Sequence, residues 1–260
     1  MNYAIILAGG KGSRMKSSIP KQYIKLNNRP MICYSLDVFE HNTNIDGIVV
    51  VTAADYMEYM RQLISENGYS KVIDITEGGK ERYDSVYSGL NCIRRKAEKK
   101  SVCKENSIAE PDNSASVSDE DNYKSCKESE YIYIHDGARP CVSDNIINAC
   151  TEAVAKYKAC VAAVPVKDTI KVADKNGLAI NTPDRSTLWQ IQTPQVFERK
   201  LITEAYDRLY EDTHRNGITD DAMIVERYMN APVKITMSEY TNIKATTPED
   251  ILITELFLKK

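Results

Sequence analysis

Histidine is scarce in this 260-residue chain: His41, His135 and His214 are the only three, which argues against a multi-histidine metal centre. The seven cysteines, Cys33, Cys92, Cys103, Cys126, Cys141, Cys150 and Cys160, form no C-x-x-C pair. An odd, dispersed set argues against both a zinc site and a disulfide framework, and reads as the reduced thiols of a cytoplasmic protein. There is no run of 18 apolar residues, so no membrane-spanning helix is expected. The sequence enters an apolar strand at once, without the basic segment and apolar core of a secretory signal. Neither charge sign dominates: 34 Lys and Arg stand against 37 Asp and Glu. Bulk charge therefore gives no reason to expect a nucleic acid or a membrane as partner. The length suits one large α/β domain, here taken as 1–260, with room for an appendage.

What is present begins near the start. Tyr3 to Leu7 is an apolar run of strand length, followed by Ala8-Gly9-Gly10-Lys11-Gly12-Ser13-Arg14-Met15 and then Pro20-Lys21-Gln22. Glycines let the backbone curl and approach a ligand closely, and such a turn offers N–H groups to phosphate oxygens. With Arg14 and Lys21 close by, the stretch reads as a polyphosphate cradle. It is not a Walker A loop, since no Gly-Lys-Ser/Thr closes it, and it lacks the third glycine of the dinucleotide fingerprint.

The rest alternates between helix and strand signals. Helices are expected over 30–40, 56–67 (stopped by Gly68), 82–96 and 143–158, with Ser143 as N-cap. Further helices are expected over 198–212 and 222–229, and another after Thr247-Pro248-Glu249-Asp250, a capping box with proline at its first position. Strands are expected over 45–52, 71–76, 130–134, 160–166 and 231–237. Strands apolar on both faces belong to a buried parallel sheet, so the order argues a doubly wound α/β fold. Residues 97–129 are Lys, Glu, Ser, Asn and Asp without periodicity, read as a flexible polar insertion. Cys103 and Cys126 within it do not have the spacing of a metal finger. Segment 167–190 contains a hairpin turning at Lys175-Asn176-Gly177, a projecting β-arm suited to exchange between subunits.

Three polar positions stand out. Asp136 follows strand 130–134 and stands where a carboxylate can reach a Mg2+ bridging nucleotide phosphates. His135 beside it reads as a packing residue or a support for its neighbours rather than as a base. Lys244 has no capping duty and is a candidate anion binder. Gly79 and Ser85, at a strand-to-helix turn, make by themselves a plain turn and cap, and Asp220 and Asp221 read as helix caps.

The loop resembles the L-A-[AG]-G-x-G-x-R-M signature of sugar-nucleotide and polyol-phosphate nucleotidyltransferases. Taken in order, LAGGKGSRM, PKQ, GG-x-x-R-x-x-SV-x-x-GL, HDGARP, VPVKDTIK, DRS-x-LW-x-x-QTPQ-x-F, ITDD and NIKATTPED resemble the IspD family of 2-C-methyl-D-erythritol 4-phosphate cytidylyltransferases over all but 97–129. The resemblance implies a Rossmann-like nucleotidyltransferase fold and in-line attack of a polyol phosphate on the α-phosphorus of CTP. It implies Arg14 and Lys21 at the α-phosphate and pyrophosphate. Ala8, Gly9, Gly10 and Gly12 would lie along the phosphates, with Gly79 and Ser85 at the cytosine or ribose and Mg2+ on Asp136. Asp136, Arg139, Thr169, Arg185 and Lys244 would hold the acceptor, with Arg185 supplied across a homodimer by the arm. Gly9 departs from the frequent Ala-Ala, Lys80 from a frequent acid, and Gly137 from alanine. Ribitol-5-phosphate cytidylyltransferases share the A-G-G loop, which keeps that acceptor as an alternative. A non-catalytic CTP-binding or scaffold protein is a third reading.

Overall fold

The computed structural model describes residues 1–10, 19–105 and 130–259. In chain order the elements are β1 (Tyr3–Leu7), β2 (Lys25–Leu26), β3 (Arg29–Pro30), α1 (Met31–His41), β4 (Gly47–Thr52), α2 (Met57–Asn67), β5 (Val72–Glu77) and α3 (Arg82–Glu105). Then come β6 (Tyr131–Asp136), α4 (Asp144–Tyr157), β7 (Ala159–Pro165), β8 (Val172–Ala173), β9 (Ala179–Asn181), β10 (Trp189–Glu198), α5 (Arg199–Glu211), α6 (Asp221–Met229), β11 (Lys234–Met237) and α7 (Pro248–Leu258). Seven strands form one sheet in the order β11-β7-β10-β6-β1-β4-β5. Every neighbouring pair is parallel except the two made by β10. This is the expected doubly wound, mostly parallel sheet.

Alternation along β1 shows why both faces are covered. Ala4 and Ile6 point into a core with Ile32, Leu36 and Phe39 of α1, Met60 of α2 and Ile147 of α4. Tyr3, Ile5 and Leu7 point the other way, against Val86 and Leu90 of α3, Ile202 and Tyr206 of α5 and Ile224 of α6. A strand buried on both faces must be apolar at every position, and all five residues of β1 are buried.

Helix ends follow their local chemistry. Ser143 caps α4 by accepting the Ile146 N–H. Gly68 ends α2 with φ +67°. Asp250 accepts the Thr247 N–H at 2.9 Å, closing the box ahead of α7. The third helix runs on to Glu105 rather than stopping at Lys96, so the polar segment starts inside a helix. Residues 106–129 of the expected insertion lie outside the described residues.

Two features were not legible in the residue pattern. Asn27 and Asn28, both at positive φ (47° and 68°), turn the small β2–β3 hairpin. The tenth strand is long, antiparallel and central, yet glutamines at 190, 192 and 195 break its apolar alternation. Its pairing with β7 steps from Ile191↔Ala163 to Gln195↔Val161. Four residues on one strand thus span two on the other, and Gln192-Thr193-Pro194 bulge out opposite Ala162. Bulges re-aim side chains, and here they turn Gln192 and Thr193 toward the carboxyl ends of the parallel strands.

Gly89 in α3 lies against the sheet, and a Cβ there would stand 2.7 Å from Cγ2 of Ile5. Ile5 is fully buried and β-branched, so it cannot yield. Gly89→Ala should therefore lower the urea midpoint by about 1–2 kcal/mol of stability despite the better helix former. A raised midpoint would show that α3 packs more loosely on β1.

Candidate active site

The chain goes from β1 outward to β4 and β5, then returns to place β6 on the other side of β1. Ligands of open α/β sheets sit at the carboxyl ends beside such a reversal. There Leu7 pairs with Asp136. Ala8, which is buried, donates its N–H to Val51 O at 2.6 Å, and Gly78 donates to Thr52 O at 2.8 Å. Four strand ends are thus pinned side by side, with Gly9 and Gly10 leaving β1 at their centre. A Cβ on Gly9 would make only ordinary contacts, the nearest at 3.7 Å. Nothing in this packing demands glycine there.

Asp136 is 8 % exposed. Its Oδ2 accepts Lys244 Nζ at 2.7 Å and its Oδ1 accepts Arg82 Nε at 3.4 Å. Burial works against the ionised carboxylate, but Arg82, Lys244 and Arg139 together hold the carboxyl well below the usual carboxylate range. Arg82 is fixed in turn by a bidentate pair with Asp221, both bonds at 2.8 Å. Asp221 is fully buried and also accepts the Tyr206 hydroxyl at 2.6 Å. Burial opposes the Arg82 charge, yet Asp221 and Asp136 push its pKa well above the ordinary value.

The backbone of Asp136 is held from below. Its N–H donates to Thr193 Oγ1 at 3.0 Å, and the same hydroxyl faces His135 Nδ1 at 3.0 Å. His135 Nε2 faces the Arg139 carbonyl at 3.3 Å. A carbonyl only accepts, so the network assigns the proton to Nε2, and Nδ1 accepts from Thr193. His135 is fully buried, and burial lowers its pKa to about 4. It packs against Phe39 and braces Thr193 and the Arg139 carbonyl.

A loop before α7 brings the remaining cations in. Arg139 Nη1 donates to Asn242 O at 2.8 Å, Ala245 N–H donates to Ala138 O at 2.8 Å, and Lys21 Nζ donates to Ala245 O at 3.1 Å. Lys21, 8 % exposed, heads a short turn at Lys21–Tyr23 that is locked by Tyr23, whose ring stacks on Tyr56 and whose hydroxyl bonds Thr52. Arg82, Asp136, Arg139 and Lys244 share a cleft of about 290 Å3 with residues of the β10 bulge and Thr219.

Of the residues singled out in the sequence, Ala8, Gly9, Gly10, Lys21, Asp136, Arg139 and Lys244 gather at this edge. Gly79 and Ser85 stand at the adjoining β5–α3 turn, where Ser85 Oγ accepts the Gly79 N–H at 3.2 Å. Gly12 and Arg14 lie outside the described residues. Thr169 and Arg185 are exposed on the projecting segment and do not line the cleft. Arg185 donates to Lys167 O at 3.0 Å. Sequence reasoning gave no site role to Arg82, Thr193 or Asp221. The GG-x-x-R spacing and the acidic pair after Ile218-Thr219 were the signals, but a buried Arg–Asp pair is visible only once α3 and α6 are adjacent.

Among the described residues no group of three or more His, Cys, Asp and Glu could hold a metal ion alone. A single hard carboxylate still fits Mg2+, which keeps waters and takes substrate phosphates as its other ligands.

Cations and the ionised Asp136 converge here on a cleft that Thr193, Thr219 and Asp220 also line. Such a set can neutralise and align phosphates, and fold and site together define an α/β nucleotidyltransferase. The family model for IspD, 2-C-methyl-D-erythritol 4-phosphate cytidylyltransferase, matches residues 2–104 and 114–260, and the chain belongs to this family. It is 52 % identical over 259 residues to the 2-C-methyl-D-erythritol 4-phosphate cytidylyltransferase of Lachnospira eligens, covering 100 % of both chains. It is 40 % identical to the protein of that name from Caldanaerobacter subterraneus, covering 99 % of this chain and 98 % of that one. The solved 4-diphosphocytidyl-2C-methyl-D-erythritol synthase of Anaerococcus prevotii superposes with a TM-score of 0.75 at 28 % identity, covering 100 % of this chain and 96 % of that one.

His135 makes stability depend on pH. The unfolded chain takes up a proton near pH 6.5, whereas the folded site resists it down to about 4. Between those values the unfolded state binds more protons, so stability falls as pH drops through the window, by about 3 kcal/mol in all. Urea midpoints of wild type and His135→Gln from pH 7.5 to 4.5 should diverge in slope, with the variant losing less. Parallel slopes would place the imidazole in contact with solvent.

Proposed function

We propose that the protein transfers CMP from CTP to 2-C-methyl-D-erythritol 4-phosphate, releasing pyrophosphate. The observation that carries this reading is the ionised Asp136, ringed by Arg82, Arg139 and Lys244 beside the glycine turn. An oxygen of the acceptor phosphate attacks the α-phosphorus of CTP in line. The bond from that phosphorus to the oxygen bridging the β-phosphate breaks, and pyrophosphate leaves with its electron pair. The attacking oxygen is already anionic, so no general base is needed. The barrier lies in bringing two anions together and in the charge of the five-coordinate centre.

Lys21 and Arg14 take the charge at the α-phosphate and leaving pyrophosphate. Ala8, Gly9, Gly10 and Gly12 present backbone to the phosphates, with Gly79 and Ser85 toward the base and ribose. Asp136 holds Mg2+, which supplies further charge neutralisation when bound. Arg139 and Lys244 hold the acceptor phosphate, Lys244 exchanging its present bond to Asp136 for one to the incoming anion.

Thr169 and Arg185 complete the acceptor side from a second subunit in a homodimer. The support is the arm itself: residues 167–173 and 175–182 are all exposed, and Ile170, Val172, Leu178 and Ile180 lie open to solvent at 41–68 %. Apolar side chains left in water on a projecting hairpin call for a covering surface. The reaction is placed in the cytoplasm as part of this reading; no helix among the described residues is long and apolar enough to cross a membrane.

Pyrophosphate release from CTP, followed side by side with 2-C-methyl-D-erythritol 4-phosphate, ribitol 5-phosphate and no acceptor, tests the reading. Turnover is expected with the first alone. Turnover with ribitol 5-phosphate and none with the first would overturn the acceptor, and nucleotide binding without turnover would leave a CTP-binding protein. Mixing separately inactive Lys21→Ala and Arg185→Ala chains should restore about a quarter of wild-type activity, because random pairing makes one intact site in each mixed dimer. Exchange of subunits without recovery would place Arg185 on its own chain's site.

A further inference from the structure

Three side chains given binding roles above, Lys21, Arg139 and Lys244, depend on one short loop. Arg139 donates to the carbonyl of residue 242, Lys244 is carried by the loop, and Lys21 donates to the carbonyl of residue 245. Nothing so far accounts for what holds that loop against the sheet. We propose that Asn242 is a positioning residue for the acceptor: it clamps the loop to the β10 bulge and so sets the spacing of Arg139 and Lys244. The proposal rests on the reading of those two cations as acceptor-binding.

Asn242 is fully buried. Its Nδ2 donates to Gln192 Oε1 and to Thr193 O, both at 3.0 Å. The Thr193 carbonyl can only accept, which fixes the amide orientation. Gln192 is itself held: its Oε1 also accepts Ser238 Oγ at 2.8 Å, and its Nε2 donates to Glu239 O at 3.2 Å. The bulge, whose Thr193 hydroxyl takes the Asp136 N–H, is thereby tied to the loop that carries Lys244. Carboxylate and cation are set from one junction.

Asn242 Oδ1 has no hydrogen-bond partner although it is buried, and neither has Nε of Arg139, the residue bonded to the Asn242 carbonyl. Buried polar atoms without partners are destabilising. Stability alone would therefore not select asparagine here, whereas the two-pronged grip of its Nδ2 on the bulge requires a side-chain amide. The far end of the loop is pinned separately by Ala245 N–H on Ala138 O. Lys21 bonds at that end, three residues beyond Asn242, so its position leans less on the clamp than those of Arg139 and Lys244 do.

The test is initial-rate kinetics of the full-length protein with CTP and 2-C-methyl-D-erythritol 4-phosphate varied in turn, for wild type, Asn242→Ala and Gln192→Ala. In Asn242→Ala the KM for the acceptor should rise about tenfold, the loss expected from one buried hydrogen-bonding group, with kcat reduced and the KM for CTP changed less than about twofold. Gln192→Ala removes one of the two acceptors and should show the same selectivity in weaker form. It decides the matter if Asn242→Ala does not fold. Equal losses toward CTP and acceptor, or an unchanged acceptor KM in a folded variant, would overturn the positioning role. A wild type that makes no product from this acceptor would instead overturn the functional reading.

Discussion

A carboxylate buried to within a few per cent of its surface, yet ionised, is the constraint around which this molecule is arranged. Asp136 can stay charged only because cations are brought to it from three separate parts of the chain: Arg82 from α3, Lys244 from the loop before α7 and Arg139 from its own turn. An unpaired charge in that place would be far more costly than any single packing contact. Each cation in turn needs its own support. Arg82 is held by Asp221 at the start of α6, and Arg139 by the Asn242 carbonyl. The apolar faces of α3, α5 and α6 are packed so that Asp221 and Tyr206 meet Arg82. Core packing and site electrostatics are therefore one construction on that side of the sheet.

The same arrangement suits the chemistry. The ion pairs of the cleft occupy the place proposed above for the substrate phosphates and Mg2+. Binding then becomes an exchange of partners among charges that are already desolvated and oriented, which is the condition under which fixed charges act strongly on a transition state. Arg82 differs from Lys244 in this respect. Its guanidinium faces two carboxylates and is neutralised locally, so it serves as a brace, whereas Lys244 pairs with Asp136 alone among the described residues.

Much of this could be read from the residues. Apolar runs such as Ile48 to Val51 announced a doubly covered parallel sheet, and Ser143, Gly68 and Thr247 marked helix ends, because these signals are local. Asp136 and Lys244 were recognisable because a carboxylate after a strand and a lysine without a capping task have few other duties. Arg82, Thr193 and Asp221 were not. Their roles come from neighbours 54 to 139 residues away, and the tenth strand that carries Thr193 hides its periodicity behind three glutamines and a bulge. The arm was legible as a hairpin, but its exposure shows only in the folded chain.

The bulge in β10 also divides that strand into two zones of unequal freedom. On the core side, Gln195, Val196 and Phe197 pair in step with Val161, Cys160 and Ala159, and a one-residue change there would turn Phe197 out of the interior and a glutamine into it. On the arm side the register is already offset, and the chain beyond it is solvent-exposed. Gain or loss of residues in the hairpin is absorbed before it reaches Asp136. A longer or shorter arm would leave the distance between carboxylate and cations as it is, so the reach of the hairpin is set independently of the cleft.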